Sequence, residues 1–197
     1  RDAIPAVLKY RNTTAPYYRI VKVSEKELEK LDDMNKKDKL KELGKHKAVV
    51  EQELTLAPET DYRTHSTLIA LPALERGIYY LTATTEKGIT SEDKTLMLSF
   101  QVSQLGYIID QNYDKMTVFV VDRKTGKPLE GVTVELYRTE WDYKAREYKT
   151  IILATPKTYR KGQAEVVQKN SDGFSINLRK GDDNLLSEGR FYLSGKN

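Results

Sequence analysis

The chain has 197 residues, 39% of them hydrophobic and 31% charged, and its 33 basic and 29 acidic residues leave a formal net charge of +4. This length fits two sandwich domains of about 100 residues each, and the apolar content excludes an intrinsically disordered chain. Residues of both signs are interleaved, even in the densest charged run, 36–42, which lies in a predicted helix. Nucleic acid is therefore not an expected partner, because phosphate binding needs clustered Lys and Arg.

The chain contains no cysteine. This excludes disulfides, thiolate metal sites, cysteine nucleophiles and a cysteine-based thioester within these residues. No apolar run approaches the roughly 18 residues that a membrane-spanning helix needs, and no signal peptide opens the sequence. Because the first residue is Arg1 and not methionine, we expect a fragment of a longer protein, with any export signal or lipid anchor upstream of it.

The first predicted strand covers Tyr17–Val23, a segment rich in Tyr, Ile and Val. A helix is expected directly after it, because Ser24 and Glu27 have the spacing of a capping box. Asn35 with Asp38 offers a second helix start. The sequence therefore predicts a helical insertion at about 24–44, either one broken helix or two short ones, packed on the side of a sheet.

The predicted helical insertion is expected to end at Gly44, which we interpret as the C-cap. From residue 48 onward the hydrophobic period changes to two, as in strands with one buried face. Strands are predicted within 48–56, 62–71, 77–84 and 96–102. In the last of these, alternation places four apolar residues on one face: Leu96, Leu98, Phe100 and Val102. All belong to one antiparallel domain, residues 1–103.

A second domain, residues 104–197, is predicted from a fresh series of strands at 116–122 and 132–137. Less distinct strands follow at 151–154, 165–168, 174–178 and 190–193. Residues of about 138–160, a segment that includes the first of these less distinct strands, are aromatic, charged and poorly patterned. We expect this segment to be an irregular, exposed interaction loop.

One motif in the second domain combines a turn with a core strand. Gly126 and Pro128 shape the turn, and Gly131 opens the strand that follows. Alternation then directs three side chains to the core: Val132, Val134 and Leu136. A second turn, at Ser171-Asp172-Gly173, is predicted to lead into a strand with another three core residues: Phe174, Ile176 and Leu178.

The order of the segments 62–68, 71–81, 100–103 and 116–122, followed by the Thr-Gly-Lys-Pro motif at 125–128, resembles the N-terminal half of bacterial alpha-2-macroglobulin family proteins. The resemblance implies fibronectin-III-like, seven-stranded macroglobulin domains strung in a row within a large extracytoplasmic protein. Such proteins lie in the periplasm or at the cell surface, are often lipoproteins, and trap or inhibit proteases. The Cys-Gly-Glu-Gln type thioester motif of many members is absent here.

We therefore predict an all-β fold of two tandem immunoglobulin- or fibronectin-III-like, macroglobulin-type antiparallel β-sandwiches, with a short helical insertion in the first. The predicted role is that of non-catalytic scaffold domains in a protease-trapping protein. Its partners are the neighbouring domains of the parent chain and, through the full-length protein, proteases. No transmembrane segment is expected in this fragment.

No catalytic residue, cofactor or metal is predicted. His46 and His65 are the only histidines and lie on different elements, without carboxylates at metal-ligand spacing. Asp172, Asp182 and Asp183 lie near glycines but lack the spacing of a calcium loop, so we interpret them as turn residues.

Two alternative functions stay open at this stage. A carbohydrate-binding or adhesion module of a cell-surface protein would use part of the large aromatic complement: Tyr17, Tyr18, Tyr79, Tyr80, Tyr143, Tyr148, Tyr159 and Trp141. Exposed, coplanar tyrosines on one face would favour that alternative, and buried tyrosines would count against it. The second alternative function is that of a non-catalytic accessory domain of a secreted enzyme.

Overall fold

The computed structural model describes residues 2–58, 61–85, 87, 91–112, 115–167, 173–187 and 189–192. Within these residues the fold consists of antiparallel β-sheets and two short α-helices, which confirms the all-β prediction. The chain divides into two compact units, unit 1 (residues 1–102) and unit 2 (residues 103–197). Each is described separately.

The described part of unit 1 contains six strands and both helices. The strands are β1 (Ile4–Tyr10), β2 (Tyr17–Val23), β3 (Ala48–Glu53), β4 (His65–Leu71), β5 (Gly77–Thr84) and β6 (Thr95–Val102), and the helices are α1 (Glu25–Asp32) and α2 (Lys36–Lys45). A four-stranded sheet has the order β3-β2-β5-β6, and a separate two-stranded ribbon pairs β1 with β4. Strand β1 was not predicted.

The caps of the two helices follow the sequence signals. Ser24 Oγ accepts from the backbone N–H of Glu27 at 3.2 Å, and Glu27 Oε2 accepts from that of Ser24 at 2.7 Å, which confirms the capping box. Asn35 Oδ1 accepts from the backbone N–H of Asp38 at 2.9 Å and begins α2. The predicted C-cap at Gly44 is wrong, because α2 continues through Lys45.

The helix pair covers one face of the four-stranded sheet. Leu31 of α1 and Leu43 of α2 are buried there. The buried Tyr80 of β5 donates its hydroxyl hydrogen to Asp32 Oδ1 at 2.8 Å, and Lys39 of α2 lies 3.6 Å from the same oxygen. Burial and the hydrogen bond to Asp32 hold the pKa of Tyr80 well above its usual range. The cluster therefore ties both helices to the sheet.

The opposite face of the sheet packs on the β1–β4 ribbon and forms the core of unit 1. Its buried members are Tyr18, Ile20, Leu71, Leu74, Tyr79 and Leu81. Strand β5 is buried on both faces from Ile78 to Leu81, because the ribbon lies on one side and the helices on the other.

Within its described residues, unit 2 is a sandwich of seven antiparallel strands. They are β7 (Leu105–Asn112), β8 (Lys115–Asp122), β9 (Thr133–Asp142), β10 (Glu147–Ala154), β11 (Gln163–Val167), β12 (Ser175–Lys180) and β13 (Asp183–Leu186). One sheet has the order β11-β8-β7 and the other β10-β9-β12-β13. Their inner faces share one core: Leu105, Met116, Val118, Val120, Val132, Val134, Leu136, Ala164, Val166, Phe174, Ile176 and Leu178.

The Thr-Gly-Lys-Pro motif behaves as predicted. Asp122 Oδ1 accepts from the backbone N–H groups of Lys124 and Thr125 and from the hydroxyl of Thr125, at 3.1, 2.8 and 2.9 Å. Gly126 follows with φ of +71°. All six predicted core residues of the two motif strands are at most 1% exposed. Of the second turn, Ser171 and Asp172 lie outside the described residues.

Two features of unit 2 differ from the prediction. Residues 138–160 are not an irregular loop: most of them form the β9–β10 hairpin, in which β9 runs on to Asp142. Strand β7 was not predicted and lies where the sequence indicated only a boundary. Near the end of the chain, the described part of the predicted strand 190–193 contributes a single bridge between Phe191 and Phe174.

Candidate functional site

The most exposed aromatic surface of unit 2 lies on the β9–β10 hairpin. We call it the hairpin surface, and it consists of Trp141, Tyr143, Tyr148 and Ile152, which are 42 to 85% exposed. Trp141 and Tyr148 face each other across the strands, with ring centroids 4.9 Å apart. The predicted interaction segment is thus an exposed surface, but it is held by strand pairing.

The turn of the hairpin is fixed by one carboxylate. Asp142 Oδ1 accepts from the backbone N–H groups of Lys144 and Ala145 at 2.8 and 3.0 Å, and Asp142 Oδ2 accepts from the ammonium of Lys149. Lys149 and these amides hold the pKa of Asp142 below its usual range. The exposed aromatic rings therefore stand on an ordered support.

The chemistry of the hairpin surface suits protein recognition. Trp and Tyr give large contact areas with few rotatable bonds, and they are enriched at protein interfaces. Strand β10 is at the edge of its sheet, and its second side has no strand partner among the described residues. Such an edge offers backbone hydrogen-bonding groups to a neighbouring segment.

The tyrosines do not form a shared sugar-stacking platform. Tyr18, Tyr79 and Tyr80 are buried in unit 1. Trp141 and Tyr148 meet edge to face, at an interplanar angle of 68°, and not as coplanar rings. Burial and ring geometry both count against the carbohydrate-binding alternative.

The structure places the two histidines on separate elements of unit 1. His46 ends α2, with Nε2 4.0 Å from Glu27 Oε1. His65 begins β4, with Nε2 2.8 Å from Asp61 Oδ1. In the described part of the chain, no group of three or more His, Cys, Asp or Glu side chains is placed to hold a metal ion.

Asp183 has a role that the sequence interpretation missed. It is 4% exposed, and its carboxylate accepts from the hydroxyl of Ser103 at 2.8 Å and from the backbone N–H of Gln104 at 3.0 Å. These bonds tie the first residues of unit 2 to β13. An Asp-Asp pair after a glycine gives no sequence signal for such a contact, since the partners lie about 80 residues apart.

Comparison with known proteins gives matches at the level of structure only. No family model and no curated protein matches the sequence. A crystal structure of native Escherichia coli alpha-2-macroglobulin spanning domains MG0-NIE-MG1 matches 95% of this chain, with a TM-score of 0.67 and 14% identity. A second structure, spanning NIE-MG1, matches 92% of the chain with a TM-score of 0.62 and 14% identity.

The chain spans 58% of the first of these structures and 86% of the second. No described helix is both long and apolar enough to cross a membrane. Because the matches cover 95% and 92% of this chain, they include most of both units. The chain therefore has the fold of the tandem macroglobulin-type β-sandwich domains found in bacterial alpha-2-macroglobulin.

Proposed function

We propose that this chain supplies non-catalytic scaffold domains to a bacterial alpha-2-macroglobulin-like protein that traps proteases. The observation that carries the proposal is the match of 92% of this chain to the NIE-MG1 structure, of which the chain spans 86%. From the order of the domains in that structure we infer that unit 1 corresponds to NIE and unit 2 to MG1.

The proposed mechanism is mechanical. The sandwiches hold neighbouring domains of the parent protein in place, and cleavage elsewhere in the parent lets the assembly rearrange around the protease. Unit 2 suits this role because its twelve core residues are each at most 3% exposed, which makes a rigid body. The direct partners are then the neighbouring domains, and proteases are bound only through the full-length protein.

The hairpin surface is the proposed contact to a neighbouring domain. Trp141 and Tyr148 form a supported aromatic pair that exposes apolar area in the isolated chain. Burial of such a pair against another domain gains hydrophobic free energy with little loss of side-chain entropy.

The proposed location is extracytoplasmic, with a lipid anchor upstream, and fractionation with palmitate labelling of the full-length protein tests it.

The function is tested by incubating the full-length protein with a panel of proteases. We expect cleaved protein to retain the protease, which keeps its activity on small peptides and loses it on large substrates. The isolated 197-residue chain should neither inhibit nor retain any protease. Plain digestion of the full-length protein without capture would contradict the trap.

A matched pair of variants tests the hairpin surface within the same assay. The full-length double variant W141A/Y148A should capture less protease, because the proposed domain contact loses its aromatic pair. The control is Y62A in unit 1, where Tyr62 is 76% exposed. Equal capture by both variants would remove the hairpin surface from the proposal.

A further inference from the structure

A cavity of about 830 Å³ lies in unit 1 between helix α2 and the outer face of the four-stranded sheet. Val21 of β2 and Thr82 of β5 line its floor, and Leu40 and Leu43 of α2 line the facing wall. This volume is within the range of pockets that hold small ligands, about 300–1,000 Å³. The cavity plays no part in the proposed scaffold function.

Several of the residues that line the cavity are short. Thr82, Thr84 and Thr95 line it from the sheet, and Gly44 lines it from α2. A Cβ added at Gly44 would meet no heavy atom within 4 Å. By contrast, the other part of the helix–sheet interface is filled by Leu31 and Tyr80, which are 1% and 3% exposed. One part of the interface is therefore packed and the other is open.

The rim of the cavity carries an excess of positive charge. Four basic side chains and two carboxylates line it, a net charge of +2, and they are Arg19, Lys37, Lys41, Lys87, Asp38 and Glu92. Lys37 and Lys41 stand four residues apart on one face of α2, where like charges repel each other. An anion placed between them would relieve that repulsion.

Three other lysines of the helical segment form ion pairs. Lys30 and Lys45 lie 3.5 and 2.6 Å from Glu42 oxygens, and Lys39 lies 3.6 Å from Asp32 Oδ1. Among the described residues, no carboxylate lies within ion-pair distance of Lys37 or Lys41. Arg19 at the same cavity is already bound, at 2.9 Å from Glu51 Oε1. Lys87, the fourth cation at the cavity, lies over the ring of Tyr17, with its ammonium 5.8 Å from the ring centroid. Lys37 and Lys41 are therefore the two cations on the helix side of the cavity that a ligand can meet without breaking an ion pair.

The wall behind these lysines is apolar. Leu43 is buried, Leu40 is half-buried, and Val21 is 3% exposed. A site with a cationic rim, an apolar wall and hydroxyl groups on its floor matches a ligand with a negative head and a short alkyl tail. We propose that this cavity binds an amphipathic anion, a carboxylate or phosphate that carries an alkyl chain, with its head between Lys37 and Lys41.

The direct test is calorimetric titration of the whole chain with decanoate, below its critical micelle concentration. We expect saturable binding at one site, at least tenfold weaker binding of decanol, which lacks the charge, and no saturable binding of acetate, which lacks the tail. Absence of saturable decanoate binding overturns the proposal, and so does equal affinity for decanol.

Variants assign the binding to the cavity. K37A/K41A should bind decanoate at least tenfold more weakly, whereas K26A/K36A, with the same loss of charge in the same segment, should stay within twofold of the parent chain. Gly44→Leu should abolish binding by filling the cavity, with an unchanged circular dichroism spectrum. Undiminished binding by K37A/K41A would overturn the assignment.

Binding of the chain to lipid vesicles shows whether the anion comes from a membrane lipid or is a free acid. If phosphatidylglycerol vesicles capture the parent chain but not K37A/K41A, the head group belongs to a membrane lipid. If the vesicles capture neither while decanoate binds, the ligand is a free acid. Capture of both chains alike, without decanoate binding, would contradict the site.

Discussion

The two units solve the problem of covering a sheet in different ways. In unit 2, a three-stranded and a four-stranded sheet cover each other's inner faces. In unit 1, the four-stranded sheet meets only the two-stranded β1–β4 ribbon, and its outer face is covered by helices. Leu98 shows the consequence: it pairs with the core residue Leu81 and so faces the core side, yet it is 42% exposed. The alternation of apolar residues along a strand therefore indicates which face they share, but it does not ensure that this face is buried.

The largest expected effect compares one leucine from each unit. Leu178→Ala in unit 2 removes a side chain with 0% exposure and should lower the free energy of unfolding by about 2 to 5 kcal/mol. Leu98→Ala in unit 1 should cost less than about 1 kcal/mol, because that side chain is already half in water. The only tryptophan, Trp141, lies in unit 2, so its fluorescence follows urea unfolding of unit 2, and amide exchange follows unit 1. Equal losses of unfolding free energy for the two variants would contradict this difference between the units.

A pair of glycines tests how tightly unit 2 is closed. Gly162 has φ of +69°, and a Cβ there would lie 2.4 Å from Val120 O and 3.0 Å from Leu129 N. Gly126 has φ of +71°, with no atom within 4 Å of the added Cβ. Gly126→Ala should therefore cost only the left-handed backbone strain, about 1 to 2 kcal/mol.

Gly162→Ala adds a clash with backbone atoms, for a total of about 2 to 5 kcal/mol. Tryptophan fluorescence in urea measures both variants. If the two cost the same, the neighbouring strand has room to move and unit 2 is less rigid than its packing indicates.

One hydroxyl group of the sheet in unit 1 donates a hydrogen bond to the helices that cover it. Tyr80→Phe removes the 2.8 Å hydrogen bond to Asp32 and should cost about 1 to 2 kcal/mol. We expect faster amide exchange across α1 and α2 and unchanged tryptophan fluorescence. The control is Tyr79→Phe, because the Tyr79 hydroxyl bonds to the Glu75 carbonyl and not to a helix. Unchanged exchange in both helices would show that Leu31 and Leu43 alone hold them.

The smallest effect concerns pH and one capping carboxylate in each unit. The backbone N–H and hydroxyl of Ser24 lower the pKa of Glu27 in unit 1, and the hydroxyl and backbone N–H of Thr125 lower the pKa of Asp122 in unit 2. A lowered pKa in the folded state means that the stabilisation is complete above the unfolded pKa of about 4 and is lost as pH falls through the folded value.

Asp122→Asn should therefore reduce the difference in the urea midpoint of unit 2 between about pH 6 and pH 3. Glu27→Gln should leave that difference unchanged, since Glu27 belongs to unit 1. A shift of the unit 2 midpoint by Glu27→Gln would mean that the two units do not unfold independently.

The sequence by itself determined the local structure. Strands Tyr17–Val23 and Gly77–Thr84, the Ser24 capping box and the inward direction of Val132, Val134 and Leu136 are all observed as predicted. These features depend on the alternation of side chains along a strand and on hydrogen bonds between residues close in the chain. The local sequence is therefore enough to predict them.

Only the tertiary structure decided which segments meet. Strand β1 exists because residues 4–10 pair with residues 65–71. Within the β9–β10 hairpin the sequence predicted only the strands at 132–137 and 151–154, and strand pairing extends the hairpin over most of residues 138–150. The burial of Asp183, the exposure of Leu98 and the cavity beside Gly44 likewise depend on elements distant in sequence. A strand's own residues specify which side chains share a face. Whether another element covers that face or leaves it exposed to water is decided by packing between distant parts of the chain.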